Sequence, residues 1–493
     1  MRKPFDRQRR LDCPSVVKVP LNLNCRNETI PILRGLQHIY GSPRVRDSIL
    51  RAIAKDVNGK SSALLGRPGM SYWEILVLAA ARLGCSYNYD QLQDLAENHR
   101  ALRRVMGIGD WETEEKDLKK FDWRRIESNL NLLSPETIEK INQVIVQEGH
   151  RLDPKAAETV RGDSFVVETN IHYPTDSSLI RDGLRKILGL AAALAGLFCL
   201  DGWRQHRQLF RKVKRLVRKI ERIAARKGNG YQERLKPLYR DLLALAGTIL
   251  TRADTLRKEV QKNGTGGPET LALIKELETF LQRTRQVCGI TRRRVLEDET
   301  IPNKEKLFSI FETHTQLYMR GKAGQPMQFG RQVLIYEDGV GFITHYHILP
   351  RDKNDRDVVV TQTRKAQKLH KGRIQSASFD RGFHSPKNQE KLAKIVKHPC
   401  LPMLGTKQAA EQEKTATVEF RDARQSHPGI ESAIGALQSG NGLERCRDRT
   451  ERGFARYIGL GALGRNLHVL GKLLIAQEAP DCQAAHSRRK RAA

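Results

Sequence analysis

A chain of 493 residues, 39% of them hydrophobic and 29% charged, is long enough for two or three domains and too apolar to be disordered. Its 87 Lys and Arg residues outnumber its 56 Asp and Glu residues, and the net charge of +31 favours a polyanionic partner such as nucleic acid. The most apolar run, residues 187–200, is too short to span a membrane and predicts a buried helix instead.

The sequence also bears on the cellular compartment. The basic first residues are followed by no apolar stretch of the kind found in a signal peptide. The eight cysteines form no CxxC pair and no Cys/His cluster, so they indicate neither a disulfide framework nor a zinc site. We therefore expect a cytoplasmic protein without a membrane partner.

The N-terminal third predicts helices. Residues 1–47 have a mixed composition and predict no particular structure, whereas 48–155 reads as an α-helical domain. Ser71 with Glu74, and Asn88 with Gln91, are capping signals for two short helices joined by a tight turn. Such a pair is either a helix-turn-helix that contacts DNA ends or a simple packing unit. A further helix is expected to begin at Pro135.

Residues 156–202 contain the first strand signal. Phe165, Val166 and Val167 are typical of a strand, and Asp163 follows a glycine at its edge. An aspartate is disfavoured inside strands, so Asp163 either serves a turn or has a chemical role. Glu168, His172 and Asp176 lie close enough in sequence to be alternatives for that role, and Glu444 is a further carboxylate that could replace a predicted one.

Residues 203–300 predict a strongly basic helical segment. The stretch 211–227 holds nine Lys and Arg residues against one Glu, around an apolar stripe that includes Val213, Val217 and Ile220. The cations form either a solvated face or a phosphate-binding face, and so one-sided a run favours an anionic partner. Seven of them are the expected DNA contacts: Arg211, Lys212, Lys214, Arg215, Arg218, Lys219 and Arg222.

Residues 301–475 return to strands and helices, and 476–493 read as a basic tail. Strands are predicted at 332–336 and 341–349, joined by a hairpin turn. A further strand delivers Asp380 at its carboxyl end, where α/β sheets place site residues. Pro428 and Gly429 begin a helix that carries Glu431, and a long buried helix follows.

These residues carry a resemblance to a known family. Asp163, Asp380 in the form Asp-x-Gly-Phe, and Glu431 in His-Pro-Gly-Ile-Glu are followed by GNGLERCRDRTERGF and GLGALGRNLHVLGKLL. In this order and spacing they resemble a bacterial insertion-sequence transposase of the DDE type, closest to the ISNCY group.

The resemblance implies an α/β fold with a ribonuclease H-like catalytic core, a mixed sheet flanked by helices. The first strand would carry Asp163, the fourth Asp380 and a following helix Glu431, with 203–300 as a long α-helical insertion. The three carboxylates would be catalytic and would hold Mg²⁺ or Mn²⁺, two ions per site. Related transposases carry further DNA-contacting residues around the glutamate. The corresponding positions here are Arg424, His427 and Gln438, so that only the glutamate itself matches their pattern.

The implied function is cleavage at the terminal inverted repeats of a mobile element and strand transfer to target DNA. Its partners would be double-stranded DNA and, at the DNA ends, further copies of the same chain. Two other functions stay open at this point. One is a structure-selective nuclease built on the same core, and the other is a DNA-binding repressor that needs the cations and none of the carboxylates.

Overall fold

The computed structural model describes residues 2–5, 11–59, 69–110, 120–262, 266–322 and 325–491. The chain forms two compact units. Unit 1 consists of residues 1–170 and 331–493, and unit 2 consists of residues 171–330. The segment between the two parts of unit 1 therefore extends further in both directions than the predicted insertion of residues 203–300.

Seven α-helices precede the first strand in the described part of unit 1. They are α1 (Thr29–Gly41), α2 (Pro43–Asn58), α3 (Tyr72–Gly84), α4 (Tyr89–Asn98), α5 (Arg100–Val105), α6 (Trp123–Leu130) and α7 (Pro135–Leu152). The predicted capping boxes at Ser71 and Asn88 are both confirmed, and Pro135 opens α7 as expected. The segment 1–47, for which the sequence predicts nothing, contributes α1 and the start of α2.

Burial and surface charge bear on the two alternatives for the pair α3 and α4, a DNA-binding helix-turn-helix or a packing unit. Every residue of α3 is buried, and a buried helix cannot enter a DNA groove. The exposed face of α4 carries Asp90 and Asp94, whose carboxylates would repel phosphates. These observations favour packing over DNA reading for this part of residues 48–155.

The first strand and unit 2 follow. The strand is β1 (Thr159–Thr169), and unit 2 contains α8 (Asp176–Leu197), α9 (His206–Arg226), α10 (Tyr231–Lys262), α11 (Pro268–Thr291) and β2 (Gln316–Lys322). Strand β3 (Gln325–Asp338) begins in unit 2 and continues into unit 1.

The rest of unit 1 alternates strands with helices. Its elements are β4 (Ile343–Ile348), α12 (Asp355–Leu369), β5 (Ser376–Phe379), α13 (Pro386–Ala393), β6 (His398–Cys400), α14 (Thr406–Thr415), α15 (Val418–Ser426), α16 (Gly429–Gly435), β7 (Arg445–Cys446) and α17 (Glu451–Arg491). The backbone of the predicted basic tail is helical as far as Arg491, as the last part of α17.

The strands form one mixed sheet in the order β2-β3-β1-β5-β6, with β4 beside β3 and β7 beside β1. Strand β1 is parallel to β5, β5 is parallel to β6, and β3 is antiparallel to β4. The predicted α/β architecture and the β3–β4 hairpin are therefore confirmed. Strand β2 was not predicted, because its sequence, QLYMRGK, has no regular alternation of apolar and polar residues.

The two faces of the sheet in unit 1 bury different side chains because successive strand residues point to opposite sides. One face packs Val160 and Phe379 against α12 and α13. The other face packs Phe165 and Val167 into a larger core with α3, α7 and α17. The sheet is thus the middle of three layers.

Helix α17 explains why the N-terminal helices do not form a separate domain. It packs against α1, α3 and α7, whose apolar faces are covered by residues at the other end of the chain. A side chain at Gly464 would collide with the backbone of Gly84, and one at Gly471 with the carbonyl of Pro31. Gly464 and Gly471 therefore permit close helix packing, a role that local sequence patterns do not reveal.

Unit 2 has its own core, formed by α8, α9, α10 and α11. The predicted apolar stripe of α9 is confirmed, since Val213, Val217 and Ile220 are buried there. No helix in the described part of the chain is long and apolar enough to cross a membrane.

Candidate functional site

Strand register places two of the three predicted carboxylates side by side. The parallel pairing of β1 with β5 ends with Gly162 opposite Phe379, and Asp163 and Asp380 are the next residue of each segment. Neighbouring strands lie about 4.8 Å apart, so the two aspartates sit at adjacent positions. The sequence prediction that β1 and a later strand bring these residues together is confirmed.

The alternation of side chains also assigns both aspartates to one face. Asp163 lies two and four residues before Phe165 and Val167, so its side chain points to the same face of the sheet, the face that packs into the large core. In β5, Ala377 and Phe379 point to the opposite layer, which contains α12 and α13. The alternate residues Ser378 and Asp380 therefore point to the same face as Asp163. Asp163 is half-buried and accepts a hydrogen bond from the Ser164 amide at 2.7 Å, whereas Asp380 is exposed.

Glu431 lies in the helix that covers this face. Helix α16 packs on β1, and α15 before it packs on β5. Ile430 and Leu437 anchor this region in the same core as Phe165, while the Glu431 side chain is exposed. The predicted helix is thus confirmed, and it stands beside the strand that carries Asp163.

Arg161 connects the strand to the start of α16. It lies two residues before Asp163 and therefore on the same face. Its guanidinium donates to the Ser426 carbonyl at 3.0 Å and pairs with the buried Glu337 carboxylate at 2.7 Å. A side chain at Gly429 would collide with this guanidinium, so the glycine lets the helix approach the strand. Burial raises the pKa of Glu337, and the charge of Arg161 opposes that rise.

His427 holds the same junction from the other side. Its Nδ1 lies 3.1 Å from the Ser378 hydroxyl, and its side chain is only 6% exposed. Burial lowers the pKa of His427 to about 4, although the neighbouring Asp380 carboxylate acts in the opposite direction. The imidazole is therefore neutral at pH 7. The prediction that His427 contacts DNA is corrected here, because a buried neutral ring cannot reach a phosphate.

The other two predicted contacts near Glu431 are more accessible. Arg424 in α15 and Gln438 after α16 are both half-buried. Arg424 lies on the stretch that leads into the Glu431 helix, and Gln438 lies on the stretch that leads out of it. Because they are half-buried, each side chain retains some exposed surface. Nothing in their packing assigns them a specific partner.

Two other acidic residues near Asp163 in sequence are engaged elsewhere. Glu168 pairs with Arg445 at 3.0 Å. Asp176 is the first residue of α8 in unit 2 and accepts a hydrogen bond from Arg294 at 2.8 Å. Both carboxylates are therefore held by arginines.

The carboxylates of Asp163, Asp380 and Glu431 suit a hard divalent cation, which prefers carboxylate oxygens as ligands. The structure brings together the Asp163 and Asp380 positions. Within the described ranges, however, no three His, Cys, Asp or Glu side chains are grouped closely enough to hold a metal ion. The pair therefore fits such an ion in chemistry, whereas a third ligand beside it is not found in the described part of the chain.

The basic face of α9 is the second candidate site. All seven predicted contacts are exposed, and in the described part of the chain none of them forms an ion pair. Lys214 and Arg218 also line a groove of about 270 Å³ in unit 2, whose lining includes Arg181 and Arg185 but also the acidic Asp182 and Glu221. The predicted amphipathic arrangement is therefore confirmed, with the seven cations on the exposed face of α9, while the partner of that face stays a prediction.

Sequence reasoning missed the contacts that position the site. Arg161 and Ser378 were not singled out, although each lies two residues before a predicted aspartate and so shares its face. That spacing was a usable signal. The Glu337 and Ser426 partners of Arg161 were not predictable, because they depend on which strands and helices become neighbours.

Comparison with known proteins identifies no relative of this chain. No protein-family model, no curated protein and no solved structure matches the chain.

Proposed function

We propose that this chain is a DNA transposase of the DDE type, which cuts at the ends of an insertion sequence and joins them to target DNA. The proposal rests on the placement of Asp163 and Asp380 at adjacent positions of two parallel strands, on one face of the sheet. Helix α16, which carries Glu431, covers the same face.

The strand order supports a ribonuclease H-like core for unit 1. If β2, which belongs to unit 2, is left out of the count, the strands follow along the chain as β1, β3, β4 and β5, so that β1 is the first and β5 the fourth. These are the strands on which the resemblance expects the two aspartates. Unit 2 then occupies the connection between the first and second strands of that core.

Each carboxylate has a distinct part in this proposal. Asp163, Asp380 and Glu431 would together hold two Mg²⁺ or Mn²⁺ ions, with Asp163 shared between the ions. Such ions would supply an activated nucleophile and neutralise charge on the phosphorus.

The remaining residues orient these ligands and hold the substrate. Arg161 fixes the start of α16 against β1, and Ser378 with His427 fixes it against β5. The exposed cations of α9 would bind the DNA backbone without reading its sequence, because phosphate contacts position a duplex while base contacts specify it.

The test uses a supercoiled plasmid that carries the gene with its natural flanks, incubated with the full-length protein and Mg²⁺ or Mn²⁺. We expect cuts at two inverted repeats. Asp163→Asn, Asp380→Asn and Glu431→Gln should each lower the rate about 100-fold or more, because even an outer-shell partner of a metal is worth about 10–100-fold. DNA affinity in a mobility-shift assay should stay near that of the wild type.

Glu390→Gln is the matched control, since Glu390 is an exposed carboxylate of α13 in unit 1 and is not a predicted ligand. A wild-type rate in Asp163→Asn, Asp380→Asn or Glu431→Gln would remove that residue from the ligand set. Cuts scattered over the plasmid would indicate a nuclease, and tight binding with no cleavage would indicate a repressor.

A further inference from the structure

The turn that follows Asp380 is held rigidly against α12. Its residues Arg381–Phe383 form one 3₁₀ turn, closed by a hydrogen bond from the Phe383 amide to the Asp380 carbonyl at 3.1 Å. The Phe383 ring is buried in the core between the sheet and α12. The backbone beside the Asp380 carboxylate therefore has a defined position.

Arg356, in the first turn of α12, is fixed to this turn at two points. Its side-chain Nε donates to the Gly382 carbonyl at 3.1 Å. Its own carbonyl accepts from the buried Asn388 amide at 2.9 Å, and the same amide donates to the Phe383 carbonyl at 3.1 Å. The guanidinium is thus attached two residues beyond Asp380, although Arg356 is exposed to solvent.

The acidic neighbours of Arg356 do not neutralise it. Asp357 accepts a hydrogen bond from the Asn354 amide at 3.0 Å, as part of the capping box of α12. Asp355 accepts one from Gln332 at 2.8 Å. Throughout the described residues no carboxylate forms an ion pair with Arg356. The charge of Arg356 also acts on nearby His384, whose pKa is lowered first by burial and then by this cation.

We propose that Arg356 binds a backbone phosphate of the DNA strand that lies at Asp163 and Asp380. The inference rests on the proposed function, and it adds a binding residue that neither the resemblance nor α9 supplies. With Nε committed to Gly382, the two terminal amino groups present a planar fork, the geometry in which arginine binds phosphate through paired hydrogen bonds.

Arg356 differs in kind from the α9 cations. Its contact with the Gly382 carbonyl sets its position relative to Asp380, so it would hold the reacting part of the strand. Exposed helix cations on long side chains add affinity with little positional control. Substitution of Arg356 should therefore change both phosphate binding and the rate of cleavage.

The experiment compares Arg356→Gln with Arg364→Gln, which removes the same charge from an exposed arginine two turns further along α12. Affinity for a fluorescein-labelled duplex of unrelated sequence is measured by anisotropy over a range of salt concentrations. An Asp163→Asn background keeps the DNA intact. We expect Arg356→Gln to lower the salt slope by about 0.9, the value for one phosphate contact, and Arg364→Gln to leave it unchanged.

Cleavage of the plasmid, measured in the otherwise wild-type protein, provides the second readout. Arg356→Gln should lower the rate about tenfold or more, as expected for loss of a charge-assisted hydrogen bond, while Arg364→Gln stays within about twofold. Arg356→Lys keeps the charge but lacks the Nε–H that binds Gly382. It should retain most of the salt slope and still lose rate, a separation that mere destabilisation of the fold would not produce.

The outcomes distinguish this inference from the proposed function. If the wild type cuts and Arg356→Gln resembles Arg364→Gln in slope and rate, the phosphate contact is wrong and the function stands. If the wild type never cuts but Arg356→Gln alone loses about one unit of slope, the contact stands and the function falls. Thermal unfolding of each variant identifies any loss that comes from misfolding.

Discussion

The carboxylate face of unit 1 and the basic face of α9 in unit 2 are built in opposite ways. Asp163, Asp380 and Glu431 come from two strands and a helix that are far apart in the chain. The α9 cations come from one short stretch, 211–222, and reach the surface through helical periodicity alone. The first site depends on long-range strand register, and the second depends on local pattern.

This difference predicts different responses to substitution. On the carboxylate face, Arg161 touches both the Ser426 carbonyl and Glu337, so one change displaces several groups at once. On α9 the cations are exposed and have no ion-pair partners in the described residues. Independent groups of that kind are expected to contribute additively, whereas groups in contact are not.

The largest expected effect concerns the α9 face. Arg215, Arg218, Lys219 and Arg222 changed together to Gln keep the buried stripe of α9 and remove four charges. If all four contact phosphates, the slope of log K against log salt should fall by about 3–4 units for cognate and unrelated DNA alike. Anisotropy titrations at several salt concentrations measure this, and the four single variants should each account for about a quarter of the change.

The control removes four exposed cations from α12 and the turn after it, by changing Arg364, Lys365, Lys368 and Lys371 to Gln. An equal loss in the control would mean that net charge, and not the α9 face, governs binding. If the four single variants lowered the salt slope by strongly unequal amounts, α9 would contain positioned contacts like those of the carboxylate face. The contrast between the two sites would then be wrong.

The same contrast explains how much the sequence could predict. Local signals were sufficient for the capping box at Ser71, the stripe of α9 and the strand that carries Asp163, and all three are confirmed. The pairing of Asp163 with Asp380 was expected only through resemblance, because no local pattern specifies which strands become neighbours. The partners of Arg161 and the contact between Gly84 and Gly464 depend on the assembled fold, and they were missed.

The second largest expected effect comes from a substitution at the junction between α16 and β1. Gly429→Ala places a methyl group against the Arg161 guanidinium, which is held by Ser426 and Glu337. Overpacking of this kind costs roughly 1–3 kcal/mol of unfolding free energy. Because the displaced helix carries Glu431, cleavage should fall further than stability alone explains. Chemical denaturation and the plasmid assay measure the two quantities.

Gly435→Ala is the matched control in the same helix, since a side chain there meets no atom within 4 Å. Alanine is favoured over glycine inside a helix by roughly 0.5–1 kcal/mol, so this variant should be as stable as the wild type or more so. Equal behaviour of the two variants would show that Arg161 moves aside freely and does not position α16.

The smallest expected effect is a pH dependence centred on His427. Its pKa is lowered to about 4 by burial, against an ordinary value of 6.5. The unfolded chain therefore binds a proton more readily than the folded one between these values. The stabilising contribution of the neutral imidazole is complete above pH 6.5 and is lost as the pH falls toward 4.

Substitution isolates this contribution from that of other histidines, such as the half-buried His347 and the buried His370, whose pKa values are also lowered to about 4 by burial. His427→Asn offers Ser378 a neutral partner that does not titrate. The unfolding free energy of the wild type should fall between pH 7 and pH 5, and in the variant that fall should be smaller by about 1–2 kcal/mol. An identical fall in both proteins would mean that Asp380 stabilises a protonated His427, and the ring would then be a cation at the carboxylate face after all.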